Sequence, residues 1–157
     1  MTQKQASNAL LSAALTYAAE GWRVFPIKSS QKKPPLISAW PSRATTDRRQ
    51  IKEWWKKWPT ANVGVATGAA SGIVVVDVDR KTDGFRTLRK LCTRNGALPP
   101  TLVADTPNGG RHYFFRSDVK VRTSAGVLGK GIDIRGEGGY VVVSPSRLSG
   151  GRYAWRD

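Results

Sequence analysis

Two aspartates close an otherwise apolar stretch in the middle of the chain. Residues 73–79 read IVVVDVD, so branched apolar residues typical of a buried strand lead into Asp77 and Asp79. Alternate residues of a strand share a face, so both carboxylates point the same way from Cα atoms about 7 Å apart. Such a pair would be costly to desolvate unless a cation neutralised it. Their hard oxygen ligands predict bound Mg²⁺ or Mn²⁺.

A third acid occupies a similar environment further along the chain. Asp133 stands in the run GIDIR, between branched apolar residues in a predicted strand. Three carboxylates could hold two metal ions about 3.5 to 4 Å apart, which would activate an attacking oxygen and stabilise a leaving pyrophosphate. The alternative is that these acids pair with some of the many Arg and Lys side chains.

The only histidine follows a glycine turn at the start of a predicted strand. Residues 107–115 read PNGGRHYFF, in which two glycines let backbone approach a ligand closely. The backbone of Gly110, the forked guanidinium of Arg111 and the imidazole of His112 would together suit a triphosphate. A lone histidine at a strand edge can also be purely structural.

The charge of the chain predicts a polyanionic partner. Lys and Arg total 26 against 11 Asp and Glu, which gives a net charge of +15. Nucleic acid is the natural candidate, because Lys and Arg release the counterions of phosphates on binding. The alternative is a basic surface that only maintains solubility.

The tryptophans divide between core and surface. Trp54, Trp55 and Trp58 follow helical spacing and are predicted to pack in the core. Trp40 lies in a predicted loop near Lys32 and Lys33, so it is the candidate for stacking on a nucleic-acid base.

Several classes of site are excluded by composition. One cysteine and one histidine allow neither an internal disulfide nor a Cys/His zinc site. The chain has no Walker motif ending in Gly-Lys-Ser/Thr, and therefore no ATPase motor of that type. No signal peptide or membrane-spanning run is evident, so we expect a cytoplasmic protein without a membrane partner.

The pattern of apolar residues and turns predicts a single α+β domain over residues 1–157, with helices packed on a mixed sheet. Helices are predicted at 7–20, 47–58 and 84–95. Strands are predicted at 22–27, 62–66, 73–79, 101–106, 111–116, 131–135 and 140–144.

The order of these motifs resembles a known family. An apolar strand ending in Asp-x-Asp is followed by GGRHY, then by an isolated strand aspartate and by the run VVVSPS. This order is similar to the bifunctional primase-polymerase (prim-pol) domain of the archaeo-eukaryotic primase superfamily. Residues 17–26, 58–68 and 151–155 also resemble that family, so the likeness covers nearly the whole chain.

The resemblance implies a two-subdomain fold with an RRM-like catalytic core and flanking helices. It implies template-directed nucleotidyl transfer, with Asp77, Asp79 and Asp133 holding Mg²⁺ or Mn²⁺ and His112 contacting nucleotide phosphates. The implied function is synthesis and extension of primers on single-stranded DNA from NTPs or dNTPs, in replication of a plasmid, phage or integrated element. Many family members continue into a helicase domain, so a domain of this kind can be one part of a longer replication protein.

Two other functions remain open at this point. One is a non-catalytic nucleic-acid-binding module that recruits a replicase. The other is a glycosyltransferase, because Asp-x-Asp also holds a metal on nucleotide sugars, although the charge of +15 and the histidine motif argue against it.

Overall fold

The computed structural model of the chain describes residues 2–157, apart from the side chains of residues 3 and 4. The helices in this part of the chain are α1 (Gln3–Ala19), α2 (Trp40–Arg43), α3 (Arg48–Lys57) and α4 (Gly84–Asn95). The strands are β1 (Val24–Ile27), β2 (Asn62–Ala66), β3 (Ile73–Val78), β4 (Leu102–Asp105), β5 (Arg111–Arg116), β6 (Ser124–Ala125), β7 (Ile132–Arg135), β8 (Tyr140–Val142), β9 (Arg147–Leu148), β10 (Gly151–Arg152) and β11 (Ala154–Trp155).

The strands form two main sheets. The smaller sheet has the order β1-β2-β8 and the larger sheet the order β11-β4-β5-β3-β7-β6, while β9 and β10 form a separate hairpin. The α+β class predicted from the sequence is confirmed. Strand direction differs from the predicted mixed sheet: every named strand pair in residues 2–157 is antiparallel, and the one parallel pairing is an isolated bridge between Arg122 and Glu137. Consecutive strands such as β4 and β5 pair as hairpins, which can only be antiparallel.

Local capping sets the starts of the two long N-terminal helices. The α1 helix begins earlier than predicted, because Thr2 and Gln5 form a reciprocal capping box in which each side chain accepts from the other residue's backbone N–H. The α3 helix starts as predicted after Asp47, whose carboxylate accepts a hydrogen bond of 2.8 Å from the Arg49 N–H.

The two sheets share one hydrophobic core. The smaller sheet is buried along its first two strands, and α1 and α3 pack against it. On the larger sheet, Val75 and Phe114 face this core and belong to the same buried cluster. The opposite face of the larger sheet, which includes the buried Val78, packs against α4. Alternation along β3 therefore separates a face that meets the smaller sheet from a face that meets α4.

Aromatic side chains connect α1 to the far end of the chain. Trp22 is stacked between Tyr17 and Phe114, with ring centroids 5.5 and 5.6 Å away. The Tyr17 hydroxyl donates to the Ser144 carbonyl at 2.6 Å and accepts from Trp155 Nε1 at 2.9 Å. Burial raises the pKa of Tyr17 to about 12, although the hydrogen bond from Trp155 acts in the opposite direction.

The predicted core tryptophans of α3 lie where their spacing indicates. Trp54 and Trp55 are buried, and Trp58 packs against the core while remaining partly exposed. None of the helices in residues 2–157 combines the length and the apolar composition that crossing a bilayer requires.

Candidate active site

Three of the predicted site residues lie side by side across the larger sheet. Asp77 on β3 is directly opposite His112 on β5 and directly opposite Asp133 on β7. Directly opposed residues on antiparallel strands project to the same face with Cα atoms about 4.5 to 5.5 Å apart. The register of β3 with its two neighbours therefore gathers these residues into one row.

The side chains in this row contact one another. His112 Nε2 lies 3.4 Å from Asp77 Oδ1. Arg135, two residues after Asp133 on the same face of β7, places its Nη2 atom 3.0 Å from Asp133 Oδ2 and 3.7 Å from Asp77 Oδ2. The guanidinium thus lies between the two carboxylates and offsets their mutual repulsion.

The environment of Asp77 favours its charged form. Burial would raise the pKa of Asp77, but the contact with His112 and the positive charges of Arg135 and Lys32 outweigh it, and the net pKa is lowered. Its side chain is 23% exposed, compared with 5% for that of His112. The imidazole Nδ1 is buried and has no hydrogen-bond partner among the described residues.

Asp79 follows the end of β3 and is exposed. Its backbone is fixed by two hydrogen bonds of 2.8 Å, from its own N–H to the Gly131 carbonyl and from the Gly84 N–H to its carbonyl. Its carboxylate accepts a hydrogen bond of 2.8 Å from the Lys81 N–H, so it caps the following turn. The structure therefore fixes the backbone of Asp79 beside Gly131, two residues before Asp133. The Asp79 carboxylate is not part of the contacts between Asp77, Asp133 and Arg135.

Two cavities meet at Asp77. The first, which we call the acid cavity, has a volume of about 560 Å³ and is lined by all three aspartates. The second, which we call the loop cavity, has a volume of about 380 Å³ and is lined by His112 together with Lys33, Trp40 and Tyr140. Asp77, Lys32 and Arg135 line both cavities. A ligand in either cavity would therefore contact the same carboxylate.

The side-chain chemistry of the acid cavity suits a divalent cation. Its aspartates offer the hard oxygen ligands that Mg²⁺ and Mn²⁺ prefer. A positive group, the Arg135 guanidinium, already lies between Asp77 and Asp133, which shows that this position accepts positive charge. Within residues 2–157 no three His, Cys, Asp or Glu side chains are gathered closely enough to hold a metal ion as they stand. A cation bound by all three acids would require the exposed Asp79 side chain to turn toward the other two.

Two of the residues predicted to hold phosphates already have other partners. Arg111 precedes His112 on β5, so its side chain lies on the opposite face of the sheet, where it pairs with Asp105 at 3.2 Å and lies over the Phe85 ring. The Gly110 N–H is already used, because it donates to Thr106 Oγ1 at 3.1 Å. The structure therefore places the Arg111 side chain away from the row of Asp77, His112 and Asp133, and the Gly110 N–H is engaged with Thr106.

Other positively charged residues line the two cavities, and Lys81 and Lys130 line the acid cavity alone. Arg135 and Lys32 line both cavities, and Lys33 lines the loop cavity. The position of Arg135 could have been inferred from its two-residue spacing from Asp133 in a strand. Lys32 and Lys33 lie in a loop without regular spacing, which carries no such signal.

Trp40, the predicted stacking residue, is half-buried at the start of α2. Its ring stacks on Phe25 at a centroid distance of 4.8 Å and meets Tyr140 edge to face at 4.9 Å. Trp40 is therefore held by other aromatic rings while it lines the loop cavity.

Comparisons with known proteins identify the family. No curated protein matches this chain. The family model for the N-terminal domain of bifunctional DNA primase/polymerases, Prim-Pol, matches residues 14–157, a range that includes every candidate site residue described above. The chain, in which Asp77, His112 and Asp133 form one row on the larger sheet, thus belongs to the bifunctional DNA primase/polymerase N-terminal family.

Proposed function

We propose that this domain is a metal-dependent nucleotidyltransferase that synthesises and extends primers on single-stranded DNA. The observation that carries the proposal is the row formed by Asp77, His112 and Asp133 on adjacent strands, beside a cavity that Asp79 also lines. The family match supports the same activity.

The three aspartates would hold two Mg²⁺ or Mn²⁺ ions. When bound, such ions lower the pKa of an attacking hydroxyl and offset the charge of a triphosphate. Asp77 is already prepared for this role, because its pKa is lowered and it is charged at neutral pH. Asp133 shares the Arg135 counter-ion with Asp77, so binding of a metal by both acids would release that guanidinium.

The reaction itself joins a 3′-hydroxyl to an incoming nucleotide. The hydroxyl oxygen attacks the α-phosphorus, the bond to the bridging oxygen of the β-phosphate breaks, pyrophosphate leaves with that electron pair, and the hydroxyl proton passes to water. His112 would donate a hydrogen bond to a phosphate oxygen, and its buried position would keep the imidazole in one place during the reaction.

The substrates that follow from this activity are a single-stranded DNA template and NTPs or dNTPs. The net charge of +15 supports binding of the template backbone. We place the domain, spanning residues 1–157, in the cytoplasm, in replication of a plasmid, phage or integrated element. A helicase, in the same protein or in a separate one, would supply the unwound template.

The experiment is to replace both Asp77 and Asp79 by Ala and to measure primer synthesis on unprimed single-stranded DNA. The double variant should make no product while keeping its circular dichroism spectrum and its DNA affinity. Asp118→Ala is the control, because it removes an exposed acid that lines neither cavity. Full synthesis by the double variant would contradict the proposal.

One observation favours the non-catalytic alternative. Arg135 lies between Asp77 and Asp133, and the Asp79 carboxylate caps a turn, as expected if these acids have only structural partners. DNA binding without metal-dependent incorporation of labelled nucleotides would support this alternative. Parallel incubation with labelled nucleotide sugars tests the glycosyltransferase, for which transfer of sugar rather than nucleotide is required.

A further inference from the structure

A basic loop from the smaller sheet reaches the row of site residues on the larger sheet. The loop 28–35 follows β1 and is anchored to the protein by two side chains. The Tyr140 hydroxyl donates to the Lys32 carbonyl at 3.1 Å, and Asn62 Nδ2 donates to the Gln31 carbonyl at 3.0 Å. These hydrogen bonds hold the loop beside Asp77, where the charge of Lys32 helps to lower the pKa of that carboxyl.

The loop cavity is rich in positive charge. Lys32, Lys33 and Arg135 line it, together with His112, and its only acid is Asp77. Neither lysine forms an ion pair with any residue in the described part of the chain. Because uncompensated positive charges repel each other in a confined space, this lining favours a ligand with several clustered negative charges.

We propose that Lys32 and Lys33 are the main protein contacts of the incoming nucleotide's triphosphate, which would lie in the loop cavity beside His112. The inference rests on the proposed function and names the residues that hold one part of its substrate. A volume of about 380 Å³ lies within the range of ligand pockets, about 300 to 1,000 Å³. Arg111, which the sequence suggested for this role, is on the opposite face of the sheet.

The neighbouring acid cavity suits the other reactant. Its three aspartates are matched by four cationic residues, Lys32, Lys81, Lys130 and Arg135, so the balance of charge in its lining is less positive than in the loop cavity. The aspartates would suit the cations that act on an attacking hydroxyl. Asp77 lies on the wall shared by both cavities, so the α-phosphorus and the hydroxyl oxygen would meet beside it. The loop lysines would therefore hold the nucleotide phosphates, and metal held by the acids would act on both the attacking hydroxyl and the triphosphate.

The test is to measure binding of sodium triphosphate and of dATP by calorimetry, in Mg²⁺ and without DNA. Lys32→Gln and Lys33→Gln should each weaken binding of both ligands about tenfold, since charge-assisted hydrogen bonds to phosphate are among the stronger polar contacts. Lys28→Gln is the matched control, because it removes the same charge from the same loop at a residue that does not line the cavity. Its triphosphate affinity should equal that of the wild type.

Further measurements distinguish this role from others. Lys32→Arg keeps the charge and should retain most of the affinity, so a loss confined to the Gln variants is not a consequence of misfolding. Binding of single-stranded DNA should be unchanged in Lys32→Gln and Lys33→Gln. Loss of DNA binding with unchanged triphosphate affinity would overturn the inference and assign the lysines to the template, and equal triphosphate affinity in all four variants would also overturn it.

The inference and the proposed function can fail separately. If the wild-type domain binds triphosphate through the two lysines but incorporates no nucleotide, only the proposed function is contradicted. If the domain makes primers while Lys32→Gln and Lys33→Gln leave the triphosphate affinity unchanged, only the inference is contradicted.

Discussion

His112 and Asp77 occupy directly opposed positions on β5 and β3, with Nε2 of the imidazole 3.4 Å from Oδ1 of the carboxylate. The histidine side chain is only 5% exposed, so water competes little for this contact. The pair connects the residue expected to touch phosphate with the residue expected to hold metal. A change at one should therefore be measurable at the other.

Replacement of His112 by Phe should raise the pKa of Asp77. Burial raises that pKa, and His112 provides the largest contribution that lowers it. Without His112, the effect of burial is therefore less fully offset. The variant keeps an aromatic ring of similar size in the buried position. NMR titration of the Asp77 carboxyl carbon measures the shift, and an unchanged pKa would show that the pair does not interact in solution.

The same pair predicts a change in acid stability. The folded-state pKa of Asp77 lies below its unfolded value of about 3.9, so this carboxylate stabilises the fold above that pH, and the stabilisation is lost as pH falls through the folded pKa. In His112→Phe the contribution should be smaller and should disappear at a higher pH. Urea unfolding between about pH 2 and pH 6 measures this, with the free energy of unfolding as the readout.

Replacement of Arg135 by Gln should destabilise the metal-free protein at neutral pH. Asp77 and Asp133 would lose the guanidinium between them and repel each other, which we expect to cost on the order of 1 kcal/mol because the guanidinium is 34% exposed. Mn²⁺ should raise the unfolding temperature of this variant more than that of the wild type, since the metal no longer competes with Arg135. The control is Arg152→Gln, at an exposed position without an ion pair in residues 2–157. A smaller effect of Mn²⁺ on Arg135→Gln than on the wild type would contradict this account.

Replacement of Gly84 by Ala should displace the backbone that carries Asp79. An added Cβ would lie 2.3 Å from the Gly131 carbonyl oxygen and 2.6 Å from the Asp79 carbonyl oxygen, so backbone must move. We expect a loss of about 1–3 kcal/mol in the free energy of unfolding and weaker Mn²⁺ binding. Gly150→Ala is the matched control, because the nearest atom to its added Cβ is Asn108 Oδ1 at 3.7 Å. Equal stability of the two variants in urea would show that the backbone around Asp79 has room for the methyl group.

Replacement of Tyr17 by Phe should change the stability at alkaline pH as well as at neutral pH. At neutral pH the variant loses the hydrogen bond to Ser144 and leaves Trp155 Nε1 without its acceptor, at a cost of about 1–3 kcal/mol. In the wild type the pKa of Tyr17 is raised from 10.0 to about 12. The neutral hydroxyl therefore stabilises the folded state fully below pH 10.0, and this stabilisation is lost as the pH rises toward 12. The difference between the two proteins should therefore shrink over that interval. Urea unfolding measures the difference in free energy of unfolding between the two proteins. A difference that stays constant over this interval would mean that the pKa of Tyr17 is the same in the folded and unfolded states.

The sequence grouped Asp133 with Asp77 because each is an acid among branched apolar residues of a predicted strand, and the register of β3 with β7 places the two opposite each other. Strand periodicity explains why Arg111 lies apart from His112. The sequence places Arg111 beside His112, but adjacent residues of a strand point to opposite faces, and Arg111 consequently meets Phe85 and Asp105 instead of the site.

The contribution of Lys32 was not predictable in the same way. The loop that contains it has no period, and its position beside Asp77 depends on distant partners such as Tyr140, which lies more than a hundred residues later and binds the Lys32 backbone. The predicted mixed sheet also differs from the structure, because every named strand pair within residues 2–157 is antiparallel, as hairpin-connected strands such as β4 and β5 must be.

The anchored loop has a mechanical consequence for the whole domain. Because Lys32 and Lys33 extend from the smaller sheet while Asp77 and His112 belong to the larger one, a molecule bound among them would cross-link the two halves of the fold. Occupancy would then stabilise the packing of the loop against the larger sheet, and departure of the bound molecule would remove that stabilisation.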